Sequence, residues 1–229
     1  MGVRIQLEGV DHEYSRSEES AQVHALSEVD LAIEAGSFVV LMGPSGSGKS
    51  TLLNLIGAVD RPTAGRILLD GLDIAALEER DLVQLRRKTL GFIFQFFNLI
   101  PTLTVRENIG FPLALVGASR RDIGGRVDEV LSRIELAHRS DHYPNELSGG
   151  EMQRVAIGRA VVHRPPIILA DEPTGNLDSR TGETILQLIR TVHEQDHPTI
   201  VMATHSDRAA SFGQRVVRVI DGRVDEVVP

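Results

Sequence analysis

Phe38-Val39-Val40-Leu41-Met42, then Gly43-Pro44-Ser45-Gly46-Ser47-Gly48-Lys49-Ser50, then Thr51-Leu52-Leu53-Asn54-Leu55-Ile56 is the stretch that decides the fold. The first five residues are apolar without interruption, as in a strand buried on both faces. From Ser50 onward the pattern is that of a helix start. The residues between them fit G-x-x-x-x-G-K-[ST] in full. Glycines there let backbone N–H groups turn inward around phosphate oxygens, and the following helix points its partial positive end at them. Lys49 is placed to reach β- and γ-phosphates, and the Ser50 hydroxyl is a ligand for Mg²⁺. Strand, glycine loop and helix in this order predict nucleotide binding.

Working outward, Ile167-Ile168-Leu169-Ala170 and Thr199-Ile200-Val201-Met202-Ala203 are two more apolar runs of strand length. Between them, Ile185, Leu186, Leu188, Ile189 and Val192 fall at helical spacing. Strand, helix and strand with such runs predict a parallel α/β sheet, whose ligands sit at the carboxyl ends of the strands. The first run ends in Asp171-Glu172. Asp171 would hold Mg²⁺, directly or through water, and Glu172 could polarise the water that attacks a γ-phosphate. Solvated acids often cap strand ends. It is the pairing with the phosphate loop that gives these two a chemical reading.

Val3 to Leu7 alternate like an exposed-edge strand, and Val29 to Ile33 read similarly. Ser15 to Gln22, polar and Glu/Ser-rich, predicts a loop. Asp70-Gly71 and Asp221-Gly222, each flanked by apolar residues, are two-residue hairpin signals. From about Leu90 to His163 the pattern is mostly helical, punctuated by Pro101, Pro112 and Pro144.

The chain has 229 residues, 41% hydrophobic and 24% charged, with a formal net charge of -8. That length suits one globular unit with a full-sized core. The acidic balance disfavours nucleic acid as the main partner. With no cysteine, disulfides and thiolate chemistry are excluded, which suits a reducing compartment. The N-terminal residues lack the apolar core of a signal peptide, and no apolar run approaches the roughly 20 residues that span a bilayer.

Leu147-Ser148-Gly149-Gly150-Glu151-Met152-Gln153 opens a helix to about His163. Ser148 and Glu151 form an S-x-x-E capping box. Two glycines in a first turn are poor helix formers, and a backbone that must approach something closely would account for them. A helix N-terminus is also a second anion site.

GPSGSGKST, LSGGEMQ, IILADEPTGNLD and His205, in that order and spacing, resemble an ABC-transporter nucleotide-binding domain across essentially the whole chain. The resemblance implies a P-loop NTPase (RecA-like) parallel-sheet core, an N-terminal antiparallel β part and an inserted α-helical subdomain. In a single domain of 1–229, residues 1–90 and 160–229 would form the β part and core, and 91–159 the helical subdomain with the signature. It implies ATP and Mg²⁺ as ligands and ATP hydrolysis as the activity. Gly43 to Thr51 would bind ATP. Gln95 matches the glutamine that contacts Mg²⁺ and senses the γ-phosphate. Ser148, Gly149, Gly150 and Glu151 match the signature that closes on ATP held by the opposite subunit. Asn176, Leu177 and Asp178 match the D-loop at the dimer seam, His205 the switch histidine, and Tyr14 the aromatic residue that stacks on adenine.

Within that family, Gly91 to Ile109 and the TGNLD sequence are similar to the macrolide-exporter and lipoprotein-releasing ATPases. Glu151 and Met152 stand where glutamine is frequent in that branch. Phe92, Phe94 and Phe96 alternate as on one strand face, whereas Phe97, Leu99 and Ile100 break the alternation and would form an apolar lip for a membrane subunit. The resemblance implies an ATP-dependent homodimer beneath integral permease subunits, held at the inner face of the cell membrane without inserting into it and without nucleic acid as partner. Two other classes stay open: a cell-division-type regulatory ATPase, and a soluble ATPase acting on nucleic acid.

His193-Glu194-Gln195-Asp196-His197 also spells H-E-x-x-H, the zinc-protease motif, which needs both histidines on one helical face. Pro198 directly follows, and the residue before a proline is pushed out of the helical region, so the expectation is a helix end and no zinc. His138 and His142, beside Pro144, are expected at the surface.

Overall fold

The computed structural model describes residues 2–14 and 23–228, the side chains of Val23 and of residues 226–228 excepted. The expected loop from Ser15 to Gln22 lies outside them. A six-stranded sheet runs in the order β10-β9-β3-β8-β7-β6. Its strands are β3 (Phe38–Met42), β6 (Leu90–Ile93), β7 (Ile167–Asp171), β8 (Thr199–Thr204), β9 (Arg215–Ile220) and β10 (Arg223–Val228). All neighbours are parallel except the β9–β10 hairpin.

Alternation along the central strands divides the core in two. Phe38, Val40, Ile168, Ala170, Ile200 and Met202 point into one apolar cluster, and Val39, Leu41, Ile167, Leu169, Val201 and Ala203 into the other. Each such side chain, buried, contributes roughly 1.5–3 kcal/mol for Val, Leu, Ile, Phe or Met. Because both faces are covered, the strands read as unbroken apolar runs and not as alternation. The first cluster is closed by α3 (Val105–Leu115), α4 (Arg120–Arg133), α5 (Gly149–Val161) and α6 (Ser179–Asp196). On the other side lie α1 (Lys49–Ile56), α2 (Glu79–Thr89) and a four-stranded antiparallel sheet of order β2-β1-β4-β5. That sheet comprises β1 (Ile5–Tyr14), β2 (Val23–Ile33), β4 (Ala64–Leu69) and β5 (Leu72–Asp73). A one-turn helix, α7 (Asp207–Ala210), follows β8.

Both Asp-Gly turns close hairpins as expected: Asp70 and Gly71 have φ of 48° and 82°, Asp221 and Gly222 of 46° and 76°. Positive φ at both positions matches the strand twist. Three sequence expectations need correction. The strand from Ile5 pairs with both β2 and β4, so it is interior; its alternation arises because only one of its faces is buried. Pro112 does not break α3 but lies inside it. The sheet also runs past residue 90, since β6 pairs with β7 through Ile93.

Candidate functional site

The carboxyl ends of β3, β7 and β8 carry the chemical residues. Between β3 and α1 the loop turns through Gly46 at φ 82° and Gly48 at φ 103°, a region that glycine enters without steric cost. A Cβ on Gly43 would stand 2.1 Å from the Val219 carbonyl oxygen, so the loop is also pressed against β9. Lys49 is buried, and its Nζ donates to the carbonyls of Gly43 and Pro44, both at 2.8 Å. Those bonds bend the lysine over its own loop. Pro44, Ser45, Gly46 and Ser50 are exposed, while Ser47 and Thr51 are buried.

The Ser50 hydroxyl donates to Asp171 Oδ1 at 3.1 Å. Burial pushes the Asp171 carboxyl above the ordinary carboxylate value, the Ser50 bond opposes this, Glu172 adds to it, and Lys49 offsets part. A hydroxyl and a carboxylate this close are hard oxygen donors that fit Mg²⁺. Among the described residues no three acidic or histidine side chains converge to hold a metal. An ion here would therefore take its other ligands from phosphates and water, the usual habit of Mg²⁺.

Glu172 follows the end of β7 in the left-handed region, φ 46°, its N–H tied to the Ala203 carbonyl at 3.0 Å. A non-glycine residue held so costs roughly 1–3 kcal/mol and is found where surroundings over-determine it. Its Oε1 lies 2.8 Å from Nδ1 of His205, just past β8, and the imidazole is largely exposed. A carboxylate aimed by an imidazole beside a phosphate loop can take a proton from water or orient it.

Gln95 is not hydrogen-bonded to Ser50 or Asp171. Its carboxamide lies against Gly175, where a Cβ would meet Nε2 at 2.7 Å, and its backbone carbonyl accepts from Asn176 Nδ2 at 3.0 Å. Asp178 caps α6, its Oδ1 accepting from the N–H groups of Arg180 and Thr181, both at 3.0 Å. Bonding from Thr181 above all, with the Arg180 N–H adding to it, holds its carboxyl below the ordinary carboxylate value. Tyr14, at the end of β1, is 38% exposed, with its hydroxyl 3.3 Å from Thr51 Oγ1 and its ring edge-on to His12 at 4.6 Å. It therefore stands beside the first turn of α1.

At α5 the expected capping box is present: Ser148 Oγ and N–H donate to Glu151 Oε2 at 2.7 and 2.9 Å, and Glu151 N–H donates back at 3.4 Å. The two glycines have an internal cause that the sequence did not disclose. A Cβ on Gly150 would fall 2.6 Å from Thr181 Cγ2, and one on Gly149 3.3 Å from Leu177 Cδ2. Ser148 itself is exposed. The pocket at this helix end is lined by Glu135, Ser148, Gly150, Arg154, Arg180 and Thr181 among others, and by no residue of the phosphate loop.

The apolar lip takes a different form from the one expected. Phe97, Leu99 and Ile100 are half-buried, Leu99 packing on the core, whereas Phe96 is 72% exposed. Phe92 and Phe94 stack at 5.6 Å and line an apolar groove of about 300 Å³ with Leu90, Pro112 and Leu115. H-E-x-x-H fails as a ligand pair. His193 is buried with Nε2 2.8 Å from the Gly36 carbonyl, and His197 lies beyond α6 at φ 50°, off the helical face. His138 is exposed and His142 half-buried beside Arg139.

The sequence model of the family described as "ABC transporter" matches residues 26–175. The ABC transporter ATP-binding protein MJ0796 of Methanocaldococcus jannaschii, itself uncharacterized, is 48% identical over 96% of this chain and 95% of its own. The macrolide export ATP-binding/permease protein MacB of Brucella melitensis is 46% identical over 88% of this chain, which spans 31% of that longer protein. A solved dimeric structure of the MJ0796 cassette, in a post-hydrolysis state with ADP and Pi, superposes with a TM-score of 0.89. It is 45% identical and covers 98% of this chain and 97% of the other.

Proposed function

This chain belongs to the ABC transporter family as one of its ATPases, and from that membership we propose that it is the motor subunit of a membrane transporter of the lipoprotein, macrolide or peptide export type. Two copies enclose two ATP molecules head to tail, each between one copy's Gly43–Thr51 loop and the other's Ser148–Gly150 signature. The observation that carries this reading is that the signature end of α5 keeps exposed Ser148 and a helix N-terminus, an anion site, in a pocket to which its own phosphate loop contributes no residue. The MJ0796 cassette is a dimer in its ADP- and Pi-bound structure, which agrees with this arrangement.

Within the dimer, Lys49 and the loop N–H groups hold the β- and γ-phosphates. Ser50 and Asp171 would hold Mg²⁺, which when bound neutralises phosphate charge; Gln95 would join them only by leaving Gly175. Glu172, aimed by His205, orients water for attack on the γ-phosphate and accepts its proton, releasing ADP and phosphate. Tyr14 stacks on the adenine, and Asn176, Leu177 and Asp178 stand at the seam. The groove at Phe92, Phe94 and Leu115, next to Phe97, Leu99 and Ile100, receives a helix of a separate permease subunit. That contact keeps the protein at the inner face of the membrane; no helix among the described residues is long and apolar enough to cross one. MacB, an ATP-binding/permease protein in one chain, supports such a partner.

Glu172→Gln tests the reading. It is expected to bind ATP, to turn over at least about 10²-fold more slowly, and to accumulate as a dimer in light scattering. A variant that hydrolyses at the wild-type rate, or stays monomeric with ATP, overturns it. Lys49→Ala is expected to lose ATP affinity, and unchanged affinity removes the phosphate loop from the account.

A further inference from the structure

Gln153 sits on α5, fully buried, on the stripe it shares with Ala156, Ile157 and Ala160. Its Nε2 donates to the Pro173 carbonyl at 2.8 Å and reaches the Phe94 carbonyl at 3.4 Å. Pro173 directly follows Glu172, and Phe94 directly precedes Gln95. One carboxamide thus fastens the helix that begins at the signature to the neighbours of both residues. Further along α5, Arg159 donates to the carbonyls of Phe97 and Asn98 at 2.8 and 2.5 Å. Those two residues have φ of 62° and 49°, so α5 grips the Gln95 loop on both sides and holds a left-handed turn in it.

The other end of the Gln153 amide is bare: Oε1 is buried without a hydrogen-bond partner. A buried polar atom left unpaired is destabilising, a cost set against the bonds that the Gln153 amide makes through Nε2. Its one well-made bond goes to the turn in which Glu172 is held left-handed.

We propose that Gln153 is a positioning residue for ATP hydrolysis, holding the Glu172 turn in register with the signature helix. Displacing the N-terminus of α5 then displaces Pro173 and with it the carboxylate. This rests on the assignment of Glu172 as the group that activates water.

The test is Gln153→Met, which keeps the volume and removes both donors, studied alone and with Glu172→Gln by steady-state and single-turnover hydrolysis and by titration with a fluorescent ATP analogue. The substitution alone should lower kcat by about tenfold or more while KM and analogue affinity stay within about threefold. Added to Glu172→Gln, it should slow the residual rate by less than about twofold, because its route to the chemistry is already cut. An unchanged kcat, a loss confined to KM, or a tenfold loss that multiplies onto Glu172→Gln overturns the proposal. Should Gln153→Met fail to fold, Gln153→Glu decides: burial raises a carboxyl there, and only its protonated form keeps a donor for the Pro173 carbonyl. Its kcat relative to wild type should rise as pH falls, and a pH profile parallel to wild type overturns the proposal. Wild-type turnover by Glu172→Gln alone would instead remove the assignment beneath it.

Discussion

Glu172 Oε1 and His205 Nδ1 stand 2.8 Å apart, joining the ends of two adjacent parallel strands, β7 and β8, through side chains 33 residues apart in sequence. The contact fixes the carboxylate in a turn already forced left-handed. It couples any movement of the exposed imidazole to the group proposed to handle water. His205→Ala should therefore lower kcat by about 10²-fold with ATP affinity nearly kept, measured by steady-state hydrolysis and nucleotide titration. An equal loss in affinity with kcat unchanged would place the histidine in binding alone.

The signature glycines answer to two possible demands, one inside the chain and one from a partner. Gly150→Ala would gain up to about 1 kcal/mol of helix propensity but drives a Cβ into Thr181 Cγ2. Thr181→Ser removes that methyl. The double variant should recover the wild-type melting temperature and still hydrolyse ATP slowly, because a first turn without glycine at 150 loses the backbone freedom that closing on the partner's nucleotide requires. Full recovery of activity would show that the glycine serves only internal packing.

Glu151 tests the electrostatics of the same helix end. Hydrogen bonds from the Ser148 backbone and hydroxyl hold its carboxyl below the ordinary value of 4.5, with Arg139 adding to the effect. A carboxyl depressed on folding stabilises the protein above its ordinary value and loses that contribution as pH falls through the folded one. Glu151→Gln keeps an acceptor for the capping box but does not titrate. Wild type should melt above the variant at pH 7, and the difference should shrink below about pH 4.5. A difference independent of pH would remove the charge from the account.

Tyr14 carries its prediction in the ring. Its hydroxyl contact with Thr51 is long at 3.3 Å, so Tyr14→Phe should bind ATP like wild type. Tyr14→Ala should lose about 1–3 kcal/mol of base stacking, roughly five- to 150-fold in affinity. Equal affinities for wild type and both variants in equilibrium titration would detach the ring from the adenine.

The legible parts of this fold were those whose cause is local. Phe38 to Met42, Ile167 to Ala170 and Thr199 to Ala203 announced a doubly covered sheet because burial on both faces leaves no room for alternation. Asp70-Gly71 and Asp221-Gly222 announced hairpins because few other pairs accept positive φ twice. The Ser148–Glu151 box closes within four residues and was read from them alone. The illegible parts depend on contacts across the chain. Alternation in β1 reports one buried face but not whether its edges are paired, so its interior place could not be seen. Thr181 beneath Gly150, and Arg159 beneath Phe97 and Asn98, come together only once α5, α6 and β6 are packed. Gln153 left a faint signal, a polar side chain on an otherwise apolar helical stripe.

The proposed dimer requires one nucleotide to be shared by the loop of one copy and the signature of another. The chain has no cysteine, so pairs can be introduced cleanly at exposed positions of both segments. Glu172→Gln protein bearing Ser45→Cys and Ser148→Cys should form a disulfide-linked dimer on mild oxidation with ATP, and far less of it without nucleotide or with Lys49→Ala added. Failure to crosslink with ATP bound, or crosslinking within a single chain, would contradict the account.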